Sequence, residues 1–216
     1  MKKGAIFDMD GLMFDTEIIF GRAWTLAGER LGVTIPDGFH TAVSGSSGEN
    51  TRQIIRAYIP DVDCDALMEL TYQISYEIQR HTLPEKPGLH EILEFFQTHG
   101  VKMAVASSSH REPVLRNLER SGIRSYFDAV VTGADVSHSK PDPEAFLTAA
   151  ARLGLSPSDC YVFEDSFNGV RAGHAAACCT IMIPDLRQPD QEIAQYYDAC
   201  FPDLLTAVQQ IKKGII

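Results

Sequence analysis

Long hydrophobic runs are missing from this chain of 216 residues. No apolar stretch approaches the roughly 20 residues that cross a bilayer, and Met1-Lys2-Lys3 leads directly into a strand-like run instead of a signal segment. A cytoplasmic protein without a membrane partner is expected. Cysteine is sparse and odd in number: Cys64, Cys160, Cys178, Cys179 and Cys200 are scattered with no C-x-x-C pair, which reads as reduced thiols and not as a disulfide framework or a zinc site. Positive charge is in deficit, 19 Lys and Arg against 29 Asp and Glu, and the net charge of -10 argues against nucleic acid as a partner. A small anion in a locally cationic pocket stays compatible with that field. Tandem repeats and low-complexity segments are also absent. The default for this size is a monomer.

What is present has two textures. From Thr16 to about Gly32, Gly48 to Ile59 and Asp65 to His81, apolar residues recur at helical spacing, with Asp15 or Thr16 placed to cap the first helix. After Pro84 and Pro87 the pattern becomes strand then helix: Val101 to Ala106, Ala129 to Val131, Tyr161 to Phe163 and Thr180 to Ile183 each precede a helical stretch. That alternation predicts an α/β fold, a Rossmann-like parallel sheet with helices on both faces. The opening run Ala5-Ile6-Phe7 supplies one more buried strand. The expected organisation is an α/β core of residues 1–14 and 86–216 and an inserted all-helical cap domain of residues 15–85. An insert held on two connections directly behind the first strand is suited to act as a lid.

Chemistry-bearing residues sit at the strand ends, where ligands bind in such folds. Asp8 and Asp10 follow the first strand, and two residues apart in extended chain they would face one crevice. Paired carboxylates need a cation, most simply Mg2+ with its preference for oxygen. Ser107, with the amides of Ser108 and Ser109, stands where a helix start can take a phosphate. Lys140 lies in Ser139-Lys140-Pro141-Asp142-Pro143, its position stiffened by prolines, and Glu164-Asp165 ends another strand. Singly, each motif reads equally well as a turn, a cap or a solvated charge. Their joint order does not.

In these motifs (Asp8-Met9-Asp10-Gly11 with Asp15, then Ser107, then Lys140-Pro141-Asp142-Pro143, then Glu164-Asp165-Ser166 with Gly169) the chain resembles the haloacid dehalogenase superfamily of phosphohydrolases, in the helical-cap subgroup similar to phosphoglycolate phosphatases and β-phosphoglucomutases. Leu12 stands where the family often has threonine. The resemblance implies a Mg2+-dependent phosphatase of small phosphorylated metabolites, sugar phosphate-like, working through an aspartyl-phosphate. It makes Asp8 the nucleophile and Asp10 the acid and base. Mg2+ is implied at Asp8, the Asp10 carbonyl and Asp165, with Glu164 a direct or water-mediated ligand. Ser107 and Lys140 would hold the transferring oxygens.

The alternative within that resemblance is a phosphosugar mutase of the β-phosphoglucomutase type, which uses a histidine early in the first cap helix and basic residues in a cap loop. Here the first position holds Phe20, and the loop Val43-Ser44-Gly45-Ser46-Ser47-Gly48 lacks lysine and arginine, which favours the hydrolase. Phe20, Arg52, His110 and Arg111 are the further substrate-binding candidates, each with an ordinary packing or solvated reading beside it. A phospho-acceptor signalling module, much shorter and without a helical insert, fits less well.

Overall fold

The computed structural model describes residues 1–46 and 48–216; Ser47, in the loop whose lack of basic residues was noted above, lies outside the described residues. The chain divides into two compact units, Met1–Phe14 with Glu85–Ile216, and Asp15–Pro84.

In the first unit β1 (Gly4–Phe7) comes first, and the helices of the second unit follow it along the chain. These are α1 (Thr16–Leu31), α2 (Phe39–Val43), α3 (Gly48–Tyr58) and α4 (Cys64–His81). The first unit then continues with α5 (Leu89–Thr98), β2 (Lys102–Ala106), α6 (Arg111–Arg120), β3 (Ala129–Val131), α7 (Glu144–Leu153), β4 (Cys160–Glu164), α8 (Phe167–Ala175), β5 (Cys179–Met182), β6 (Ala199–Cys200) and α9 (Leu204–Lys212). Among the described residues the six strands are all parallel, in the order β3-β2-β1-β4-β5-β6. The strand order reverses direction at β1, which has β2 on one side and β4 on the other. A crevice at the carboxyl ends of these three strands is the ligand position such a topology creates.

Both faces of the sheet are dry, as parallel strands require. On one, Ile6, Ala104, Ala106, Val131 and Val162 pack against Ala145, Phe146, Ala149 and Leu153 of α7 and Ala172 of α8. On the other the aromatics gather: Phe7 stacks on Phe163 at 4.8 Å and meets Phe96 of α5 and Phe127 edge-on. Strand alternation thus sends Ile6 and Phe7 into opposite cores. The short edge strand β6 was not legible in the sequence, since two partly exposed residues carry no periodicity.

The second unit closes on its own core of Ala23, Trp24, Ala27, Phe39, Ile55, Leu67 and Ile74. Asp63 caps α4 by accepting from the amides of Asp65 and Ala66. Asp15 stands before α1 but its side chain makes no capping hydrogen bond, because its backbone (φ -79°, ψ 63°) departs from the extended cap conformation. At the junction, strand-like bonding holds the leaving and returning chain together: Phe14 bridges Glu85, and the Lys86 amide donates to the Met13 carbonyl at 2.9 Å. No helix among the described residues is long and apolar enough to cross a membrane.

Candidate active site

Three strand ends deliver the site. The ladder runs one residue past the strands: the Asp8 amide donates to the Phe163 carbonyl at 3.0 Å and the Ser107 amide to the Val131 carbonyl at 3.0 Å. Asp8 and Ser107 therefore emerge fixed by the sheet. Beyond Asp8 the chain does not continue as strand. It turns, with the Gly11 amide donating to the Phe14 carbonyl at 2.9 Å and the Met13 amide to the Met9 carbonyl at 3.0 Å. Asp8 and Asp10 thus reach the same strand ends through a turn and not through extended alternation, and their carboxylates bond different partners.

Asp8 goes to Lys140. The buried Lys140 ammonium donates to Asp8 Oδ1 at 2.6 Å, to Glu164 Oε1 at 2.6 Å and to the Ala106 carbonyl at 3.0 Å, so one cation ties the ends of β1, β2 and β4. The Phe146 ring lies 4.7 Å beneath it. The turn that presents Lys140 is itself clamped: Glu144 accepts from the amides of Ser137 and His138 and from His138 Nδ1. Glu164 is fully engaged, its second oxygen accepting from the amide and hydroxyl of Ser166 at 3.0 Å each.

Asp10 goes to the serines. Its Oδ2 accepts from Ser109 Oγ at 2.8 Å and, at 3.4 Å, from Ser107 Oγ. The Ser109 amide, expected as a phosphate donor, donates to Ser107 Oγ at 3.0 Å, because the 107–109 segment folds back on itself as a turn before α6 begins at Arg111. Ser108 and His110 are exposed, and Arg111 reaches Asp135 at 3.5 Å.

The electrostatics follow from burial. Asp8 is pushed up to about 7, first by desolvation, which the Lys140 charge opposes and the charges of Glu164 and Asp10 reinforce. Burial alone would lower Lys140; the carboxylates of Asp8 and Glu164 outweigh it and raise the ammonium above its usual range. With Asp165 also buried, the strand ends hold more negative charge than one lysine neutralises. The donor set is hard oxygen, which suits a divalent cation. The turn at Gly11 has space to match: at φ +84°, a Cβ there would stand 2.4 Å from Asp165 Oδ2, so only glycine lets the Asp8–Asp10 turn approach that carboxylate.

Of the residues singled out in the sequence, Asp8, Asp10, Ser107, Ser109, Lys140, Glu164 and Asp165 converge at these strand ends. Phe20 and Arg52 belong to the second unit, where Phe20 meets Tyr72 edge-on at 5.9 Å and Arg52 pairs with Asp65 at 2.8 Å. Sequence reasoning passed over Ser166 as the holder of Glu164, and over Lys86 and Asp185, a pair at 2.7 Å. Asp185 follows β5 closely, and the strand-end rule that found the other acids would have found it too.

Residues 5–183 match the family model of haloacid dehalogenase-like hydrolases. Among curated relatives, the phosphorylated carbohydrates phosphatase of Thermotoga maritima is 31% identical over 175 residues, covering 81% of each chain. The fructose-1-phosphate phosphatase YqaB of Escherichia coli is 34% identical over 175 residues, covering 80% of this chain and 92% of its own. Among solved structures, a hydrolase from Pseudomonas syringae superposes with a TM-score of 0.84 at 23% identity, covering 99% of both chains. A β-phosphoglucomutase from Clostridium difficile does so with a TM-score of 0.81 at 20% identity, covering 97% of this chain and 96% of that one. At those identities the two structures speak for the fold alone.

Proposed function

The chain belongs to the haloacid dehalogenase-like hydrolases and is a small-molecule phosphatase, and we propose that it hydrolyses phosphorylated sugars or similar metabolites through a phosphoaspartate on Asp8. The observation that carries this reading is the Lys140 ammonium held between Asp8 and Glu164, with Asp10 bonded separately to Ser107 and Ser109. A nucleophile and a proton carrier are thereby kept apart while sharing one crevice.

In the first step an Asp8 carboxylate oxygen attacks phosphorus, the bond to the leaving oxygen breaks, and Asp10 gives that oxygen its proton. In the second a water attacks the phosphoaspartate, Asp10 takes the water's proton, and the bond to Asp8 breaks to release inorganic phosphate. Lys140 steadies Asp8 and faces the transferring oxygens; Ser107 and Ser109 orient Asp10 between its two proton states. Asp8, Asp165 and the Asp10 carbonyl would hold Mg2+, which when bound neutralises charge on the phosphoryl group and on the nucleophile. Both Glu164 oxygens already have partners, so Glu164 acts as the holder of Lys140 and not as a direct ligand.

The relatives' names, a phosphorylated carbohydrates phosphatase and a fructose-1-phosphate phosphatase, support sugar phosphates as the substrate class. The test is p-nitrophenyl phosphate turnover with Mg2+, followed by a panel of phosphorylated sugars compared by kcat/KM. Turnover is expected to stop on chelation and return with Mg2+, and Asp8→Asn is expected to lose roughly 10^3-fold or more, an amide being a poor nucleophile. Undiminished hydrolysis by Asp8→Asn would overturn the proposal.

A further inference from the structure

Asp185, three residues beyond the end of β5, carries a carboxylate oxygen with an unusual environment. Oδ1 is paired with Lys86 Nζ at 2.7 Å, whereas Oδ2 is shielded from solvent and accepts no hydrogen bond. A buried acceptor without a donor is costly, and such groups call for a missing partner. The direction of Oδ2 says where the partner belongs. A Cβ placed on Gly11 would find Asp165 Oδ2 at 2.4 Å and Asp185 Oδ2 at 3.4 Å, so the two carboxylate oxygens, from the ends of β4 and β5, face the same small space beside the Asp8–Asp10 turn. Lys86 compensates the charge of Asp185 from the other side, and its own amide is bonded to Met13 of that turn.

We propose that Asp185 is a positioning residue for the divalent cation, its Oδ2 accepting a hydrogen bond from the ion's hydration shell; this rests on the metal-dependent reading above. Mg2+ dehydrates reluctantly and keeps several waters, and partners that orient those waters are worth about 10- to 100-fold in affinity or activity. Lys86 offsets the charge of Asp185 through Oδ1 and leaves Oδ2 to the ion's water. The rival account, an ion pair that only pins the β5 loop to the returning chain, predicts equal consequences for losing either partner.

The experiment is titration of the full chain with Mn2+, read as the disappearance of the free-ion electron paramagnetic resonance signal without substrate, alongside thermal unfolding of each variant. Wild type is expected to take up one Mn2+, and Asp165→Asn to abolish most of that binding. Asp185→Asn should weaken Mn2+ about tenfold, while Lys86→Met, which removes a positive charge, should leave the affinity equal or higher. Should Asp185→Asn not fold, the double variant Lys86→Met/Asp185→Leu removes both members of the pair, and the same tenfold loss is expected. Wild-type affinity in Asp185→Asn, or equal weakening by Asp185→Asn and Lys86→Met, overturns the role of Asp185 alone. No effect of Asp165→Asn overturns the metal reading and this inference with it.

Discussion

At the scale of single residues, Lys140 is the member whose surroundings constrain it most. It is buried between two carboxylates at 2.6 Å each, a geometry in which removing one partner leaves the others badly compensated. If Glu164 serves to share that ammonium, then Glu164→Gln lets Lys140 collapse onto Asp8 and blunts the nucleophile. The expected result is a fall in kcat of about a hundredfold with KM changed by no more than roughly threefold, measured on p-nitrophenyl phosphate. Equal effects on KM and kcat would instead mark Glu164 as part of substrate binding. Ser109 offers a second check on the same scale: its hydroxyl makes the shorter of the two bonds to Asp10. Ser109→Ala should lower kcat by about tenfold with KM little changed, since it withdraws the shorter of the two serine hydrogen bonds that hold the Asp10 carboxylate in place.

At the scale of elements, helix α8 shows how a local sequence serves a distant group. Ser166 caps the helix by accepting from the Gly169 amide at 3.1 Å and donates to Glu164, which leaves Gly169 directly against the Glu164 carboxyl. A Cβ at Gly169 would fall 1.8 Å from the Glu164 carboxyl carbon. Alanine would gain about 1 kcal/mol of helix propensity. The steric cost should exceed that gain, because Glu164 is held at both oxygens and cannot retreat. Gly169→Ala is accordingly expected to destabilise the protein by about 1–3 kcal/mol in urea unfolding, and to reduce turnover through the displaced Glu164.

At the scale of the whole molecule, the pH range of stability depends on charges that only the fold brings together. Asp135, after β3, accepts from Arg152 of α7 and from the amide and hydroxyl of Thr132, and also pairs with Arg111 of α6. Burial would raise its carboxyl, but these hydrogen bonds hold it down at about 2, against 3.8 for the free side chain. A depressed carboxyl binds its proton more readily in the unfolded chain. Its stabilisation is thus fully present above about pH 5 and is lost as pH falls from about 4 through 2. Urea unfolding of wild type and Asp135→Asn across pH 2–7 should show a constant gap above pH 5 that closes toward pH 2, as an order-of-magnitude range set by that shift. A gap unchanged at pH 2 would show that the carboxylate's charge contributes nothing.

The apolar runs and their spacing determined the buried strands β1 to β5, the longer helices and the parallel α/β class, because burial on both faces of a sheet demands near-continuous apolar residues and leaves the polar groups nowhere but the strand ends. That same constraint made Asp8, Ser107, Lys140 and Asp165 visible in order along the chain. Only the tertiary structure decided the partners: that the Asp8–Asp10 turn abandons the strand, that Glu164 gives both its oxygens to Lys140 and Ser166, that Ser109 turns its amide onto Ser107, and that Asp185 comes to face Asp165 across Gly11. Periodicity records which side of an element meets the core. It carries no information on which two charges, far apart in sequence, will share a hydrogen bond of 2.6 Å, since that depends on the strand order and on the turns that aim each side chain.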